Sequence, residues 1–394
     1  MSQHQTAGIH IAKKTDIVSL VPQNVDTLVR GSAGSGKSRF YTVPEIGQCG
    51  GSFVVSDLHG MIAEECAPRL KENGYEIKIL DLYEFKDGFF YNPFHYVRND
   101  EDIRILVDCL MDNTHGPQES DMDTAFREAE RNLLLAVFYY VYYEYKDNPK
   151  KQTIGEVMEI LREISEETEC SKITVPQPKR FAGLEKRDAE HAAVQYSKAF
   201  LRCTEDFLKQ VLISANVRMV DFMNEKVQSL MKKDTLHLEE LPGRKQALFI
   251  STNGMNTACN VISAMLYTQA VKIISEENRR KGAPGTETNV HIVLDGFGNT
   301  RYLPEIDKWM KEDNGICFSI IVQSLDQIYK IYGKEKGDSI VNSFENIVYM
   351  GTQCMADQEF IIKNLPPDMI SATGEQSEKL VRNLPEENCI VISR

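Results

Sequence analysis

The chain has 394 residues, of which 42% are hydrophobic and 26% are charged, with 45 basic against 58 acidic residues. This length and composition are typical of a soluble globular protein with a large core and two structural units. The net charge of -13 excludes a protein that coats nucleic acid with its whole surface. A local basic groove stays open, because phosphate affinity follows the local field.

Nine cysteines without any C-x-x-C pair indicate a reducing compartment and no zinc site. We expect each cysteine to be a buried small hydrophobe. The N-terminus is polar and shows no pattern of a signal peptide. The most apolar run, residues 133–143, is too short to span a bilayer and predicts a buried helix.

The first part of the chain predicts alternating strands and helices. Short strands around a turn are expected over residues 8–30, and a glycine-rich segment then precedes a helix over 39–48. Residues 52–57 predict a buried strand, 61–73 a helix and 75–81 a second strand. This order favours a parallel α/β sheet.

Between residues 97 and 238 the apolar residues change to three- and four-residue spacing, which predicts an all-α insertion. The expected helices are 102–111, 123–145, 154–164, 187–207 and 208–223. The charged segment 166–186 contains Pro176 and Pro178 and predicts a loop.

Strand patterns return after the insertion, beginning at residues 246–251. A long helix is predicted over 256–277, followed by a basic turn at 278–282. The remaining expected strands are 290–294, 317–322, 347–350 and 389–393. The α/β sheet is therefore predicted to contain strands from both ends of the chain.

The glycine-rich segment at residues 31–38 reads G-x-x-x-x-G-K-S between a strand and a helix, as a phosphate-binding loop requires. Its glycines let backbone N–H groups point at phosphate oxygens, and the following helix directs its positive end at them. The predicted ligand is ATP with Mg²⁺. The alternative is a glycine-rich turn that carries a lysine by chance.

In this interpretation Lys37 reaches the β- and γ-phosphates and the Ser38 hydroxyl ligates Mg²⁺. The predicted nucleotide-binding residues are Gly31, Ser32, Ala33, Gly34, Ser35, Gly36, Lys37, Ser38 and Arg39.

A phosphate-binding loop also needs an acid at the end of a neighbouring buried strand to position Mg²⁺. Asp295 follows the apolar run 291–294 and is the predicted second metal ligand beside Ser38. Gln323, after the next predicted strand, is expected to sense the γ-phosphate. The predicted catalytic residues are Lys37, Asp295 and Gln323. The alternatives are a helix cap for Asp295 and a loop anchor for Gln323.

The order of these motifs resembles the TraG-like coupling-protein ATPases of conjugative type IV secretion, over nearly the full length. Besides the phosphate-binding loop and residues 52–57, the resemblance rests on Tyr91-Asn92-Pro93-Phe94, residues 188–229, Leu294-Asp295-x-Phe297-Gly298-Asn299 and Ile321-Val322-Gln323-Ser324-Leu325-x-Gln327. It implies an α/β fold, a RecA-like P-loop NTPase sheet with an inserted all-α domain. The nucleotide-binding domain then comprises residues 1–96 and 239–394, and the all-α domain residues 97–238.

The resemblance also implies a DNA translocase at the cytoplasmic mouth of the secretion channel, on the inner face of a bacterial cell membrane. Its implied partners are single-stranded DNA or a relaxase complex, channel components and further copies in a homo-hexamer. The family usually begins with two transmembrane helices, which this sequence lacks. We therefore expect membrane contact through an absent N-terminal segment or a partner.

Three basic clusters could contact DNA, namely Lys179-Arg180, Lys186-Arg187 and Arg279-Arg280-Lys281. Because phosphate contacts need a convergent patch, we interpret each cluster as a solvated face, with a DNA role as the alternative.

The sequence departs from the family pattern at three places. The usual D-P-K-G-E is Asp57-Leu58-His59-Gly60-Met61, and the usual L-D-E-F is Leu294-Asp295-Gly296-Phe297. The arginine that usually precedes the glutamine strand is replaced at best by Lys311, which lacks the planar fork of arginine. We infer binding of Mg-ATP with weak or absent hydrolysis, because the missing groups orient water and stabilise the transition state.

Three functions stay open. The first is a coupling protein that uses ATP to move relaxase-bound DNA into the secretion channel. The second is a non-hydrolysing nucleotide-binding adaptor of the transfer machinery, for which Gly296→Glu should add activity. The third is an unrelated P-loop DNA-packaging motor, which requires a different strand order around the phosphate-binding loop.

Overall fold

The computed structural model describes residues 8–86, 88–114, 123–169, 177–252, 257–281, 289–299, 302–312, 314–365 and 374–394. These residues group into two compact units. Unit 1 contains those within Met1–Glu84, His237–Asn256 and Ala270–Arg394, and unit 2 those within Phe85–Leu236 and Thr257–Gln269. The domain boundaries inferred from the sequence, at 96/97 and 238/239, stay a prediction.

Unit 1 is built on one nine-stranded sheet with the order β1-β9-β8-β2-β7-β6-β3-β5-β4. The strands are β1 (Gly8–Lys13), β2 (Thr27–Arg30), β3 (Ser52–Leu58), β4 (Glu76–Asp81), β5 (Gln246–Thr252), β6 (Val290–Asp295), β7 (Ile316–Val322), β8 (Asn346–Tyr349) and β9 (Asn388–Ser393). β9 pairs antiparallel with β1 and with β8. The six other neighbouring pairs are parallel.

The central strands are apolar and buried because helices cover the sheet. The burial of every residue of β2, β5 and β7 is typical of a parallel sheet protected on both faces. The helices of unit 1 outside the insertion are α1 (Ile17–Leu20), α2 (Val43–Gly47), α3 (Met61–Glu72), α12 (Ile306–Trp309), α13 (Asp326–Ser343), α14 (Met355–Asn364) and α15 (Gly374–Arg382).

Unit 2 is helical, as the spacing of apolar residues predicts. Its helices are α4 (Asp100–Asn113), α5 (Asp123–Glu144), α6 (Ile154–Glu169), α7 (Lys179–Glu185), α8 (Ala192–Phe200), α9 (Glu205–Met219), α10 (Glu225–Leu230) and the first half of α11 (Thr257–Lys281). α5 packs against α4, α6, α8 and α9. The apolar run inside α5 is buried from Leu133 to Tyr139, which confirms the predicted buried helix.

An ion pair is buried in the core of unit 2. The Arg218 guanidinium donates to both carboxylate oxygens of Glu130, at 2.7 and 2.9 Å. It also donates to the carbonyl oxygens of Met111 and Thr114, at 3.0 and 2.9 Å, at the C-terminal end of α4. The pair therefore joins α4, α5 and α9 through one side chain.

Several local expectations differ from the structure. The segment 166–186 is not one loop, because α6 continues to Glu169 and α7 begins at Lys179, while Pro176 lies outside the described residues. The single helix expected over 187–207 is interrupted between α8 and α9, at residues 201–204. The basic residues of the expected turn form the last turn of α11, where cations stabilise the negative helix end. Of the eight described cysteines, five are buried and three are half-buried.

We expect Arg218→Met to lower the free energy of unfolding by about 3 to 5 kcal/mol, because it leaves the Glu130 carboxylate buried without a partner. The double variant Arg218→Met with Glu130→Leu should recover much of this loss. Urea unfolding of the single and double variants measures both values.

Arg162, which is 55% exposed and pairs with Glu159 and Glu166 on α6, provides the matched control. Arg162→Met should change stability little, since exposed ion pairs contribute little. Equal destabilisation by the two arginine substitutions would contradict the importance of burial.

Candidate nucleotide-binding site

The phosphate-binding loop, residues 31–38, lies where β2 ends, between two neighbouring parallel strands. The Gly31 N–H donates to the carbonyl of Val322 at the end of β7, at 3.3 Å, and the Ser32 N–H donates to Gly351 beyond β8, at 3.0 Å. Parallel strands finish at one edge of a sheet, and ligand sites form there. The loop is thus held at the edge where β6 and β7 also end.

The loop needs glycine at defined positions. Gly34 and Gly36 have φ of 76° and 85°. Residues that carry a side chain adopt this left-handed conformation only at a cost in conformational energy. A Cβ atom on Gly36 would lie 2.5 Å from the Phe40 ring, and one on Gly31 would lie 2.6 Å from the Ser35 hydroxyl. The Ser35 N–H closes the turn by donating to the Ser32 carbonyl at 3.1 Å.

Lys37 points back into this loop. Its ammonium group donates to the carbonyl oxygens of Gly31 and Ser32, at 2.7 and 2.9 Å. Burial lowers the pKa of Lys37, and the negative charge of Asp295 opposes this shift. The lysine is therefore a partly desolvated cation, and such a cation attracts phosphate oxygens strongly.

Ser38 and Arg39 begin the helix that follows the loop. Residues Ser38–Thr42 form one π-helical turn that continues directly into α2, and π turns often occur at functional sites. Ser38 is half-buried and Arg39 is exposed, with the Arg39 guanidinium 5.4 Å from the Phe40 ring centre.

Asp295 ends β6 at the same edge. One oxygen of its carboxylate accepts a hydrogen bond from the Thr42 hydroxyl at 2.9 Å. The expectation that β6 neighbours β2 is wrong, because β7 lies between them. The sequence pattern of a β-strand does not encode which parallel strands become neighbours. In the sheet, Asp295 is in register with Ile321 and Arg30 with Val322, so the ends of β6, β7 and β2 lie at one edge.

Gln323 follows β7 and is exposed. Its N–H donates to the side-chain oxygen of Gln327 at 2.8 Å. A Cβ atom on Gly298 would lie 2.3 Å from the side-chain nitrogen of Gln327, so this glutamine also packs closely against the segment after Asp295. Gln327 thus bonds the Gln323 backbone and leaves no space for a side chain at Gly298.

The three places where the sequence departs from the family pattern differ in their backbone conformation and contacts. Gly296 has a φ of 72°, a left-handed conformation that favours glycine over glutamate. The Asp57 carboxylate accepts the N–H groups of Ile62 and Ala63 at 2.9 and 2.8 Å, which caps α3. Lys311 donates to the Ser339 hydroxyl at 2.8 Å.

The sequence did not predict that Lys14 and Thr42 lie beside the candidate site, or that Gln327 positions Gln323. Thr42 lies four residues after Ser38, and this helical spacing was the available signal. Lys14 donates to the Ser35 carbonyl at 2.8 Å, from the turn after β1. Its position depends on the long-range pairing of β1 with β9, for which the sequence has no local signal.

A buried polar network supports the helix behind the loop. The Ser319 hydroxyl bonds the Tyr41 hydroxyl at 2.6 Å and the His291 ring at 2.8 Å. The other His291 nitrogen lies 3.5 Å from the Glu45 carboxylate. Burial raises the pKa of Glu45 to about 7 and lowers the pKa of His291 to about 4.

The chain matches a known protein family over most of its length. The model of the family described as Type IV secretory system conjugative DNA transfer matches residues 18–365. The chain belongs to this family. The resemblance to TraG-like coupling proteins is thereby confirmed, and the family match argues against an unrelated DNA-packaging motor. A search of curated proteins finds no match.

The fold of this coupling-protein family member is similar to solved structures of the plasmid coupling protein TrwB. The complex with the non-hydrolysable GTP analogue GDPNP has 18% identity and a TM-score of 0.64, and the match covers 94% of this chain and 83% of that chain. The complex with the ATP analogue ADPNP has 16% identity and a TM-score of 0.63, with 94% and 82% covered.

VirB4 of Thermoanaerobacter pseudethanolicus is also similar, with 12% identity, a TM-score of 0.52 and 93% and 88% of the two chains covered. The predicted RecA-like P-loop fold with an all-α domain is confirmed by these similarities. Among the described residues of this family member, no helix combines the length and apolar character needed to cross a bilayer.

We expect Gly296→Glu to lower the free energy of unfolding by about 1 to 2 kcal/mol, because glutamate disfavours the left-handed backbone of this position. Gly296→Asn should cost less, since asparagine is enriched in that conformation. Urea unfolding compares the variants, and unchanged stability of the glutamate variant would contradict a required left-handed backbone.

A second expectation concerns Glu45 and pH. The pKa of Glu45 in the folded protein, about 7, is above its ordinary value of 4.5, so the folded state holds a proton that the unfolded state releases. This contribution to the free energy of unfolding falls by about 2 to 3 kcal/mol as pH rises from about 4.5 to about 7.

Glu45→Gln should remove this slope and make the variant more stable than the wild type at pH 8. Unfolding midpoints between pH 5 and 8 test it. His291 contributes a slope of opposite sign, and because its ring lies 3.5 Å from the Glu45 carboxylate, the difference between the two proteins reports the pair. Parallel curves would show that Glu45 does not titrate.

Proposed function

We propose that this coupling-protein family member binds Mg-ATP at the phosphate-binding loop and couples relaxase-bound DNA to a type IV secretion channel. The observation that carries the nucleotide part is the loop itself. Its left-handed glycines expose backbone N–H groups, and its lysine ammonium lies against the carbonyls of Gly31 and Ser32. TrwB, which has this fold, has been solved with ADPNP and with ADP and Mg²⁺.

Each predicted site residue has a role in this proposal. The N–H groups within residues 31–39 that do not donate to Val322, Gly351 or Ser32 hold the phosphates, and Lys37 leaves its two carbonyl partners to contact the β- and γ-phosphates. Ser38 ligates Mg²⁺ directly, while Asp295, already oriented by Thr42, positions the hydrated ion. Gln323 lies at the γ-phosphate end and is oriented by Gln327.

We propose that hydrolysis is slow. Gly296 places no carboxylate after Asp295, so no side chain at that position can polarise the attacking water. The nearest basic residue in the expected arginine segment, Lys311, is engaged with Ser339. Binding of the nucleotide is unaffected by either change, because the loop, Ser38 and Asp295 are retained.

The partners follow from the family and remain proposals. They are single-stranded DNA or the relaxase complex, components of the secretion channel, and further copies in a hexamer at the inner face of the cell membrane. Membrane contact would come through an N-terminal segment or a partner protein. The domain division at 96/97 and 238/239 belongs to the same proposal.

The left-handed backbone at Gly296 favours a second candidate, the non-hydrolysing adaptor. In that function ATP is a structural ligand that stabilises one conformation, and transfer is driven by a catalytically competent relative. The two candidates share the nucleotide site and differ in turnover alone.

We expect calorimetry to detect Mg-ATP binding by the wild-type chain and Lys37→Ala to weaken it by tenfold or more, about 1.4 kcal/mol. Asp295→Asn should weaken the Mg²⁺-dependent part, because the neutral amide positions the hydrated ion less well. Absence of binding by any purine nucleotide would overturn the proposal.

Turnover measured on the same samples separates the two candidates. The adaptor requires a rate indistinguishable from that of Lys37→Ala with and without single-stranded DNA. DNA-stimulated turnover that Lys37→Ala abolishes supports the motor. Lys71→Ala is the control, since it removes an exposed lysine of α3 outside the phosphate-binding loop.

A further inference from the structure

A cleft of about 390 Å³ opens beside the tip of the phosphate-binding loop. Its lining comes from three segments that are distant in sequence: the turn after β1 with Lys14 and Thr15, the loop and its helix with Gly34 and Phe40, and the residues before β9, Glu386 and Glu387. We call it the β1–β9 cleft. Its volume is in the range of about 300 to 1,000 Å³ that small-molecule sites occupy.

The order of the strands gives the cleft a defined place relative to the phosphates. From β2, the sheet continues through β7 to β6 on one side and through β8 to β9 and β1 on the other. Asp295 and Gln323 lie on the first side, and the cleft lies on the second. If the γ-phosphate and Mg²⁺ bind at Asp295, as proposed above, the α-phosphate and the nucleoside attached to it would extend towards the cleft.

The groups at the cleft suit the ribose of a nucleotide. Glu386 and Glu387 are exposed carboxylates, which accept hydrogen bonds and cannot donate them when ionised. A ribose has two neighbouring hydroxyl donors and is bonded directly to the α-phosphate. Dinucleotide-binding folds use an acidic residue in the same way to hold the ribose 2′-hydroxyl. The Phe40 ring adds an apolar surface.

Lys14 orders the side of the cleft that carries Glu386 and Glu387. Its side chain is 4% exposed, and its ammonium group donates to the Ser35 carbonyl at 2.8 Å. Its backbone N–H donates to the Glu387 carbonyl at 2.9 Å. One residue therefore ties the phosphate-binding loop to the segment that carries both carboxylates, and a site ordered before binding loses less entropy when the ligand enters.

We propose that the β1–β9 cleft binds the nucleoside end of ATP and that Glu386 and Glu387 accept hydrogen bonds from its ribose hydroxyls, so that the site selects ribonucleotides over 2′-deoxyribonucleotides. The inference rests on the proposed function, since it requires a triphosphate in the loop. It adds two residues that sequence patterns did not indicate and a selectivity that the loop cannot provide.

Calorimetry with Mg-ATP and Mg-2′-deoxy-ATP tests the proposal on the full chain. The wild type should bind ATP tenfold or more tightly than the deoxynucleotide, the effect of one lost hydrogen bond to a charged group. The double variant Glu386→Ala with Glu387→Ala should bind ATP less tightly, with an affinity close to that for 2′-deoxy-ATP. Its affinity for 2′-deoxy-ATP should change less. Both carboxylates also attract the buried Lys14 ammonium, so a small loss of thermal stability is expected, and the ratio of the two affinities tests the ribose contact.

The double variant Glu64→Ala with Glu65→Ala is the matched control, because it removes two consecutive exposed carboxylates of α3 outside the cleft. Loss of negative charge alone strengthens binding of an anionic ligand, so it opposes the expected result. Tighter binding of both nucleotides by the cleft variant would overturn the inference, as would equal affinity of the wild type for ATP and 2′-deoxy-ATP.

Failure of the inference and failure of the proposed function are distinguishable. If the wild type binds both nucleotides equally and Lys37→Ala binds neither, the loop holds the triphosphate and the ribose contact is wrong. If the wild type and Lys37→Ala bind ATP equally or not at all, the nucleotide site itself is wrong.

Discussion

The candidate site depends on one constraint, the left-handed backbone of a glycine loop held open between two parallel strands. Without a Cβ atom at Gly34 and Gly36, the chain can curl at the end of β2 while Gly31 and Ser32 donate to the strands on either side. These bonds hold the loop at the edge of the sheet. Loops with left-handed glycines at the start of a helix are a common type of anion-binding site.

Three basic side chains lie in or beside the same loop. Lys37 lies inside it, Lys14 contacts it from the turn after β1, and Arg30 precedes it at the end of β2. Arg30 is fully buried and pairs with Asp357 of α14, whose carboxylate also accepts the N–H of Leu325 at 3.1 Å. Loss of one partner of a buried ion pair strongly destabilises a fold. The pair of Arg30 and Asp357 therefore holds β2, the segment after Gln323 and α14 together.

In the function that we propose, binding and hydrolysis depend on different groups. The groups proposed to hold a magnesium triphosphate are a loop, a hydroxyl and a carboxylate, and all of them are present. The group that would activate water is missing at Gly296, and the left-handed backbone there disfavours the glutamate of the family pattern. Asp57, at the first altered motif, caps α3 and keeps a structural role. In this proposal the altered positions therefore affect hydrolysis more than nucleotide affinity.

The sequence by itself determined the phosphate-binding loop, the buried strands and the helical insertion, because each is encoded by local spacing of glycine or apolar residues. The order of its motifs indicated the family by resemblance. The tertiary structure alone decided that β7 separates β2 from β6, that Lys14 supports Ser35, and that Glu386 lies at a cleft beside Gly34. The strand order and the cleft join residues hundreds of positions apart, and Lys14 reaches Ser35, 21 positions away, only through the fold. Strand order and register set these contacts, and no local pattern records which strands pair.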